Sequence, residues 1–348
     1  QALQLENFEP DIEGGYRRIN GYQRHIRQIV PHTSSSSESI LMVATFANKT
    51  LAARGEKIFS SASTHLAKGS TNSIAADTAM TGSGTITVKS TSGFSSSGTL
   101  QINSEQFTYT GVTSTTFTGV TRAANSTSAA AHSATTDASR TVVSESWTER
   151  DTGRTNAGKY SFERFNFDGN DKIIVVDGTN DPTVFNTSLS ATDVTTSSVE
   201  GASIVASFKE HMFYAGMSST PQEVVFSQPF DEDAFSSGSG AGSIKVDDTV
   251  VGLKVFRENL FIFCENRIFK LSGSSSSDFA VSAVTRDIGC INGKTIQEFA
   301  GDLIFLGPDG LRTVAGTARI GDVELGTISS NVQSVFDDNI TDASVFES

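Results

Sequence analysis

The stretch GDLIFLGPDGLRTVAG, residues 301–316, holds an apolar run, a Pro-Asp-Gly turn and a second run in which apolar and polar side chains alternate. That order is the local instruction for a β-hairpin, because the turn residues reverse the chain and the alternation gives a strand one buried face. The same order recurs in SILMVATFANKTLAARGEKIFSS from Ser39, DKIIVVDGTNDPTVFN from Asp171, EHMFYAGMSSTPQEVVFSQ from Glu210 and ENLFIFCENRIFKLSG from Glu258. The last four hairpins begin at 171, 210, 258 and 301. A spacing of about 40 to 50 residues is the period of four-stranded blades repeated around an axis. Between them, GSIKVDDTVVGLKVF and FAVSAVTRDIGCINGKTIQEF carry shorter β runs suited to outer strands. The expected fold is therefore all-β, a complete or partial β-propeller. A long β-sandwich of irregular hairpins is the alternative, since strand partners are not written locally.

Composition agrees with a folded β protein. Of 348 residues only 19% are charged, and 24 phenylalanines stand against six prolines. The formal charge of −13 argues against a surface that grips nucleic acid by neutralising phosphates. Cys264 and Cys290 lie in separate apolar runs without metal-site or disulfide spacing, and are expected to be buried free thiols. No signal-peptide pattern opens the chain and no apolar run approaches the roughly 20 residues of a membrane span. A soluble protein made in a reducing compartment, with no membrane insertion, is expected.

Residues 80–136 break the repeat. Their only charged side chains, with His132 counted as neutral, are Lys89, Glu105 and Arg122. Yet TLQINSEQFTYTGV and TTFTGVTRA alternate at period two with glycines at the turns, which disorder has no reason to do. The expected organisation is an N-terminal arm and first strands (1–38), a first propeller part (39–79), an inserted small β domain (80–136) and the remaining blades (137–348). The insert's uncharged face suits a decoration, a contact with a neighbouring subunit or a weak sugar-binding surface.

The opener NFEPDIEGGYRRINGYQRH, the repeated hairpins, and TRDIGCINGKTIQEFAGDLIFLGPDGLRTVAG followed by LGTISSNVQ resemble tail proteins of tailed bacteriophages, of the nozzle and packaged-DNA stabilisation kind. Gly289, Gly293, Gly307, Gly310 and Ser329 occupy the places that carry the likeness. The insert separately resembles a small module of phage structural proteins, through SGTLQINSEQFTYTGV and FTGVTRAANSTSAAAHS. The resemblance implies a structural virion protein in the tail, made in the host bacterial cytoplasm. It further implies a homo-oligomeric ring, usually a hexamer, that contacts head–tail connector and other tail proteins and lets genomic DNA pass without specific binding. Such proteins are often longer, and ITDASVFES provides no evident closing strand, so a shortened chain or a ring closed by another part of the assembly is expected.

Two loop clusters, Asp231–Glu232–Asp233 and Asp247–Asp248, are candidates for an acidic channel lining, against the plainer reading of solvated loops. Residues 16–32 are the basic exception: Arg17, Arg18, Arg24 and Arg27 with Tyr16, Tyr22 and two histidines. They suit docking onto an acidic neighbour or DNA, or equally a strand whose arginines pair internally.

No enzyme is expected. His25, His32, His65, His132 and His211 never fall at metal-ligand spacing, and Asp168, Asp171, Asp177 and Asp181 read as turn residues, not as a calcium loop. No nucleophile elbow or phosphate-cradling loop occurs, and no cofactor is implied. The alternative from another class is a carbohydrate- or receptor-binding propeller, which should line a pocket with aromatic rings. Trp147 is the single tryptophan.

Overall fold

A computed structural model of the chain describes residues 8–10, 16–18, 30, 31, 38–61, 65–68, 81–132 without 89, 93, 95 and 104, 141–144, 147–156 and 158–314. A short hairpin pairs β1 (Phe8–Pro10) with β2 (Tyr16–Arg18). Next come β3 (Ile40–Phe46), β4 (Lys49–Arg54) and β5 (Lys57–Ser61). The insert supplies β6 (His65–Lys68), β7 (Thr81–Thr87), β8 (Gly98–Ile102), β9 (Glu105–Tyr109), β10 (Gly111–Val112), β11 (Thr116–Thr121) and β12 (Thr141–Ser144). After it, β13 (Trp147–Thr152) returns to the edge of β5, giving a first four-stranded sheet in the order β13-β5-β4-β3.

Three further four-stranded antiparallel meanders follow in chain order. They are β14 (Ser161–Phe167), β15 (Asn170–Val176), β16 (Thr183–Asn186) and β17 (Ala191–Asp193); β18 (Ile204–Phe208), β19 (His211–Ala215), β20 (Glu223–Phe226) and β21 (Gly242–Lys245); and β22 (Val250–Phe256), β23 (Asn259–Cys264), β24 (Ile268–Ser272) and β25 (Ala280–Thr285). A fifth sheet holds β26 (Gln297–Phe299), β27 (Asp302–Gly307) and β28 (Gly310–Thr313). The hairpins beginning near 171, 210, 258 and 301 thus lie in four separate sheets. Helix is limited, among the described residues, to three single 3-10 turns.

Each sheet packs face to face on the next, as propeller blades do, and the first strands β14, β18 and β22 touch in succession. The second strands explain the continuous apolar runs. Ile173 and Val175 of β15 pack toward blade 1 while Ile174 and Val176 pack toward blade 3. On β19, Met212 and Tyr214 face blade 2, and Phe213 and Ala215 face blade 4. A strand covered on both faces has no reason to alternate.

The insert interrupts blade 1 between its third and fourth strands. Its seven-stranded sheet closes over Ile86, Leu100, Ile102, Phe107, Phe117 and Val120, all fully buried. The sheet reaches beyond 80–136, since β6 pairs with β12 over Leu66↔Val143 and Ala67↔Val142. Accordingly one compact unit gathers residues 1–31 and 61–147, and the other 32–60 and 148–348. The Ser/Thr-rich seams carry no turn signal that would mark this boundary.

Candidate functional site

Within blades 2 to 4 the antiparallel order sends first-to-second and third-to-fourth strand connections to one end, here the turn end. Second-to-third and blade-to-blade connections lie at the far end. The first-to-second connections are all two-residue turns with positive φ at both positions: Ala47 and Asn48, Asp168 and Gly169, Lys209 and Glu210, Arg257 and Glu258, Ala300 and Gly301. This is the signature of the type I′ hairpin, whose twist matches that of its strands. Each turn follows a phenylalanine: Phe46, Phe167, Phe208, Phe256 and Phe299.

Neighbouring turns are latched together. Lys209 Nζ donates to Glu258 Oε2 at 2.6 Å, and that hydrogen bond holds the Glu258 carboxyl below its ordinary range. One blade further, Arg257 Nη2 donates to the Gly301 carbonyl. Between blades 2 and 3, Lys172 Nζ donates to Glu232 Oε1, while Glu163 Oε1 accepts from Ser207 Oγ at 2.7 Å. Burial pushes Glu163 up, only partly offset by the Ser207 hydrogen bonds.

The acidic loop 231–233 belongs to this end, between β20 and β21. Glu232 is 7% exposed, and its carbonyl accepts from Tyr214 Oη at 2.6 Å. Asp233 is raised, first by its hydrogen bond with Asp231 and then by burial. Lys172 and Asn186 are shared by two grooves, of which the second borders the loop. One, of about 560 Å³, runs along the Asn166–Lys172 turn and Thr187. The other, of about 190 Å³, lies between Asp193 and Glu232–Asp233. Their polar walls offer amide, carboxylate and ammonium groups for hydrogen bonding.

At the far end, Arg154 is 5% exposed and joins blade 1 to blade 2. Its Nε donates to Asp151 Oδ2 at 2.6 Å, and its Nη1 to Asp177 Oδ2 at 3.2 Å and to the Asp181 carbonyl at 3.0 Å. Asp177 also accepts from Thr179 N, Asn180 N and Asn180 Nδ2 at 2.7–3.0 Å. Burial raises its pKa, but these hydrogen bonds and the Arg154 charge bring it below the ordinary value. Burial, and then the Asp177 charge, push the nearby Tyr160 up to about 12. Asp247 and Asp248 also lie at this end, between β21 and β22. Asp247 pairs with Arg267, and Asp248 accepts from Asn266 N at 2.7 Å.

The two acidic clusters are therefore placed at opposite ends of the third blade and not on the first strands. Exposed side chains on those strands include Ile40, Val43, Phe162, Arg164, Val255, Phe299 and one acid, Glu298. The reason is local: each acid is held by a loop contact, Glu232 by Lys172 and Asp248 by Asn266. Of the basic segment, Arg17 and Arg18 lie on β2 opposite Glu9 and Phe8, and Arg24 and Arg27 lie outside the described residues, as does Ser329.

In the insert, the sparse charges converge. Glu105, fully buried, accepts from Arg122 Nε at 2.8 Å, Arg122 Nη2 at 2.7 Å and Ala130 N at 2.9 Å, and lies 2.8 Å from His132 Nε2. Burial acts to raise its pKa, but the hydrogen bonds win and it falls to about 2. His211, also buried, meets the Ser227 carbonyl at 2.6 Å inside a group of phenyl rings. Cys264 and Cys290 are buried free thiols, pushed up by burial to about 12 and about 11. Among the described residues, no group of His, Cys, Asp and Glu is arranged to hold a metal ion, and no helix is long and apolar enough to cross a membrane. The glycines of the family-like segment serve packing: a Cβ on Gly293 would sit 2.0 Å from the Val251 carbonyl oxygen, and one on Gly289 would sit 2.3 Å from Glu265 backbone.

The fold is an all-β propeller of successive antiparallel blades with an inserted β unit. No family model matches the chain, and no curated protein matches it in sequence. Among solved structures, the phage phi92 endosialidase is similar over 77% of this chain and 52% of its own, at 13% identity and a TM-score of 0.30. The chain thus spans about half of that enzyme's length. Kluyveromyces lactis Hsv2p is similar over 82% of this chain and 78% of its own, at 8% identity and a TM-score of 0.31. A quinonprotein alcohol dehydrogenase-like protein from Bacteroides thetaiotaomicron is similar over 81% and 70%, at 10% identity and a TM-score of 0.34. At these values the likenesses carry no functional argument, and the fold rests on the sheets described above.

Proposed function

We propose that the chain is a non-enzymatic structural subunit of a bacteriophage tail, assembled as a homo-oligomeric ring through which the genome is retained and ejected. The observation that carries this reading is the commitment of the buried and half-buried ionisable groups to fastening. Arg154, Lys172 and Glu163 each join one blade to the next, as do the turn residues Lys209 and Arg257, and Glu105 and Arg122 lock the insert. Catalysis needs titratable groups converging on space a substrate can enter; Arg154, Glu163, Glu105 and Arg122 are instead bound to one another or to neighbouring strands. The sequence likeness to nozzle and DNA-stabilising proteins supplies the tail, the hexameric symmetry and the connector as partner. A charge of −13 suits a conduit that DNA must leave.

Mass photometry across a concentration series tests the assembly. Closed oligomers, with six subunits as the dominant species, are expected. A strictly monomeric chain that binds a saccharide at the Lys172 grooves would instead favour a receptor-binding propeller.

A further inference from the structure

Asp181–Pro182, in the far-end loop 177–182 between β15 and β16, is the single Asp–Pro bond of the sequence. Such a bond yields to acid more readily than other peptide bonds. The Asp carboxyl can close a five-membered ring on its own main-chain carbonyl carbon, and proline nitrogen, a tertiary amide without N–H, leaves more easily once it takes a proton. The fold adds a third element. Arg154, 5% exposed, donates from Nη1 to the Asp181 carbonyl oxygen at 3.0 Å, so the atom on which negative charge develops already faces a buried guanidinium. The bond is also pinned on both sides: the Asn180 carbonyl accepts from Gly201 N at 3.2 Å, and the Pro182 carbonyl from Val194 N at 2.8 Å. Pro182 is buried, while Asp181 is half-buried and its carboxyl is within reach of water. Burial, and then the charges of Glu200 and Asp193, raise the pKa of that carboxyl against the opposing charge of Arg154, which Asp151 and Asp177 share.

We propose that the folded chain cuts itself at Asp181–Pro182 in mild acid, with Arg154 holding the oxyanion. One oxygen of the Asp181 carboxylate attacks its own main-chain carbonyl carbon, and the carbonyl pair moves onto the oxygen that Arg154 holds. As that pair returns, the carbon–nitrogen bond breaks and its electrons stay on Pro182 N, which takes a proton from solvent acid. The cyclic anhydride left on Asp181 is opened by water, which restores the side-chain carboxyl and leaves a new α-carboxyl. One water is consumed, and nothing is oxidised or reduced. The strands β15 and β16 stay paired from Lys172↔Asn186 to Val175↔Thr183, so blade 2 remains assembled around the nick. The cut requires no second subunit and is independent of the ring.

Denaturing mass spectrometry of the intact chain, incubated folded and in urea across a pH series, reads the cut. Fragments 1–181 and 182–348 are expected, formed at least tenfold faster from the folded chain. The raised carboxyl should also place the folded chain's pH–rate profile at higher pH than the profile in urea. Asp181→Asn should slow the cut at least tenfold, and so should Arg154→Met under conditions where circular dichroism shows it folded. A folded chain that stays intact, or is cut no faster than in urea, would overturn the proposal. An undiminished cut in Asp181→Asn would do the same. Should Arg154→Met fail to fold, the pH–rate comparison decides: a folded profile at or below that in urea would contradict the proposal.

Discussion

Glu105 has exchanged water for a fixed set of donors. A carboxylate with 0% exposure is tolerable only when its lone pairs are filled, and Arg122, Ala130 N and His132 fill them. Replacing it by Gln leaves the Arg122 charge buried without its counter-charge, and should destabilise the insert by about 3–5 kcal/mol. The same site sets an acid limit. Its folded pKa of about 2 lies below the ordinary 4.5, so the stabilisation is complete above pH 4.5 and is lost as pH falls toward 2. The amount is of order 3 kcal/mol. Hydrogen exchange of residues 98–132 in the intact chain should accelerate over that interval, and an unchanged rate would contradict the assignment. For Arg154, substitution by Met should cost about 3–5 kcal/mol, because Asp177 is left buried without its positive partner. Asp177 is itself depressed, so the penalty should shrink as pH drops and the carboxyl takes a proton. Chemical denaturation at neutral pH and at pH 3 reads both. Glu105 and Arg122 stand out in the sequence because the insert has almost no other charge. Arg154 does not, since its buried partner Asp177 is brought to it only by folding.

The turns between first and second strands illustrate what local pattern conceals. Asp168-Gly169 is an ordinary type I′ pair, but Lys209-Glu210 and Arg257-Glu258 adopt the same turn with side chains that avoid positive φ. Their reward is the chain of latches across blades, which turn propensity does not encode. Replacing Lys209-Glu210 by Asn-Gly should relieve the strain, lose one exposed ion pair of 0–1 kcal/mol, and stabilise the propeller by about 1 kcal/mol net. A midpoint shift in denaturant measures it, and destabilisation would mean that the Lys209–Glu258 latch outweighs the strain. The hairpins of second and third strands were readable, because both-face burial writes runs such as KIIVV and LFIFC. The insert's edges were not: β6 and β12 are four-residue strands in Ser/Thr-rich text, and they pair across more than seventy residues. Removing 62–146 and joining β5 to β13 with a short flexible linker should leave one cooperative unfolding transition for the propeller. Loss of cooperativity would show that blade 1 depends on the insert.

Taken together, the blades form a stack in which the phenylalanine before each of the first four turns packs on the next blade. The two acidic loop clusters lie at opposite ends of the third blade, where Glu232 is paired with Lys172 and Asp247 with Arg267. The central claim is that this stack is a unit of a ring around a DNA path. Cryo-electron microscopy of the native assembly containing the chain tests it most directly. A closed ring on the particle axis is predicted, with a channel wide enough for duplex DNA. Finding the chain off the axis on a fibre, with a saccharide held in the Lys172 grooves, would contradict it.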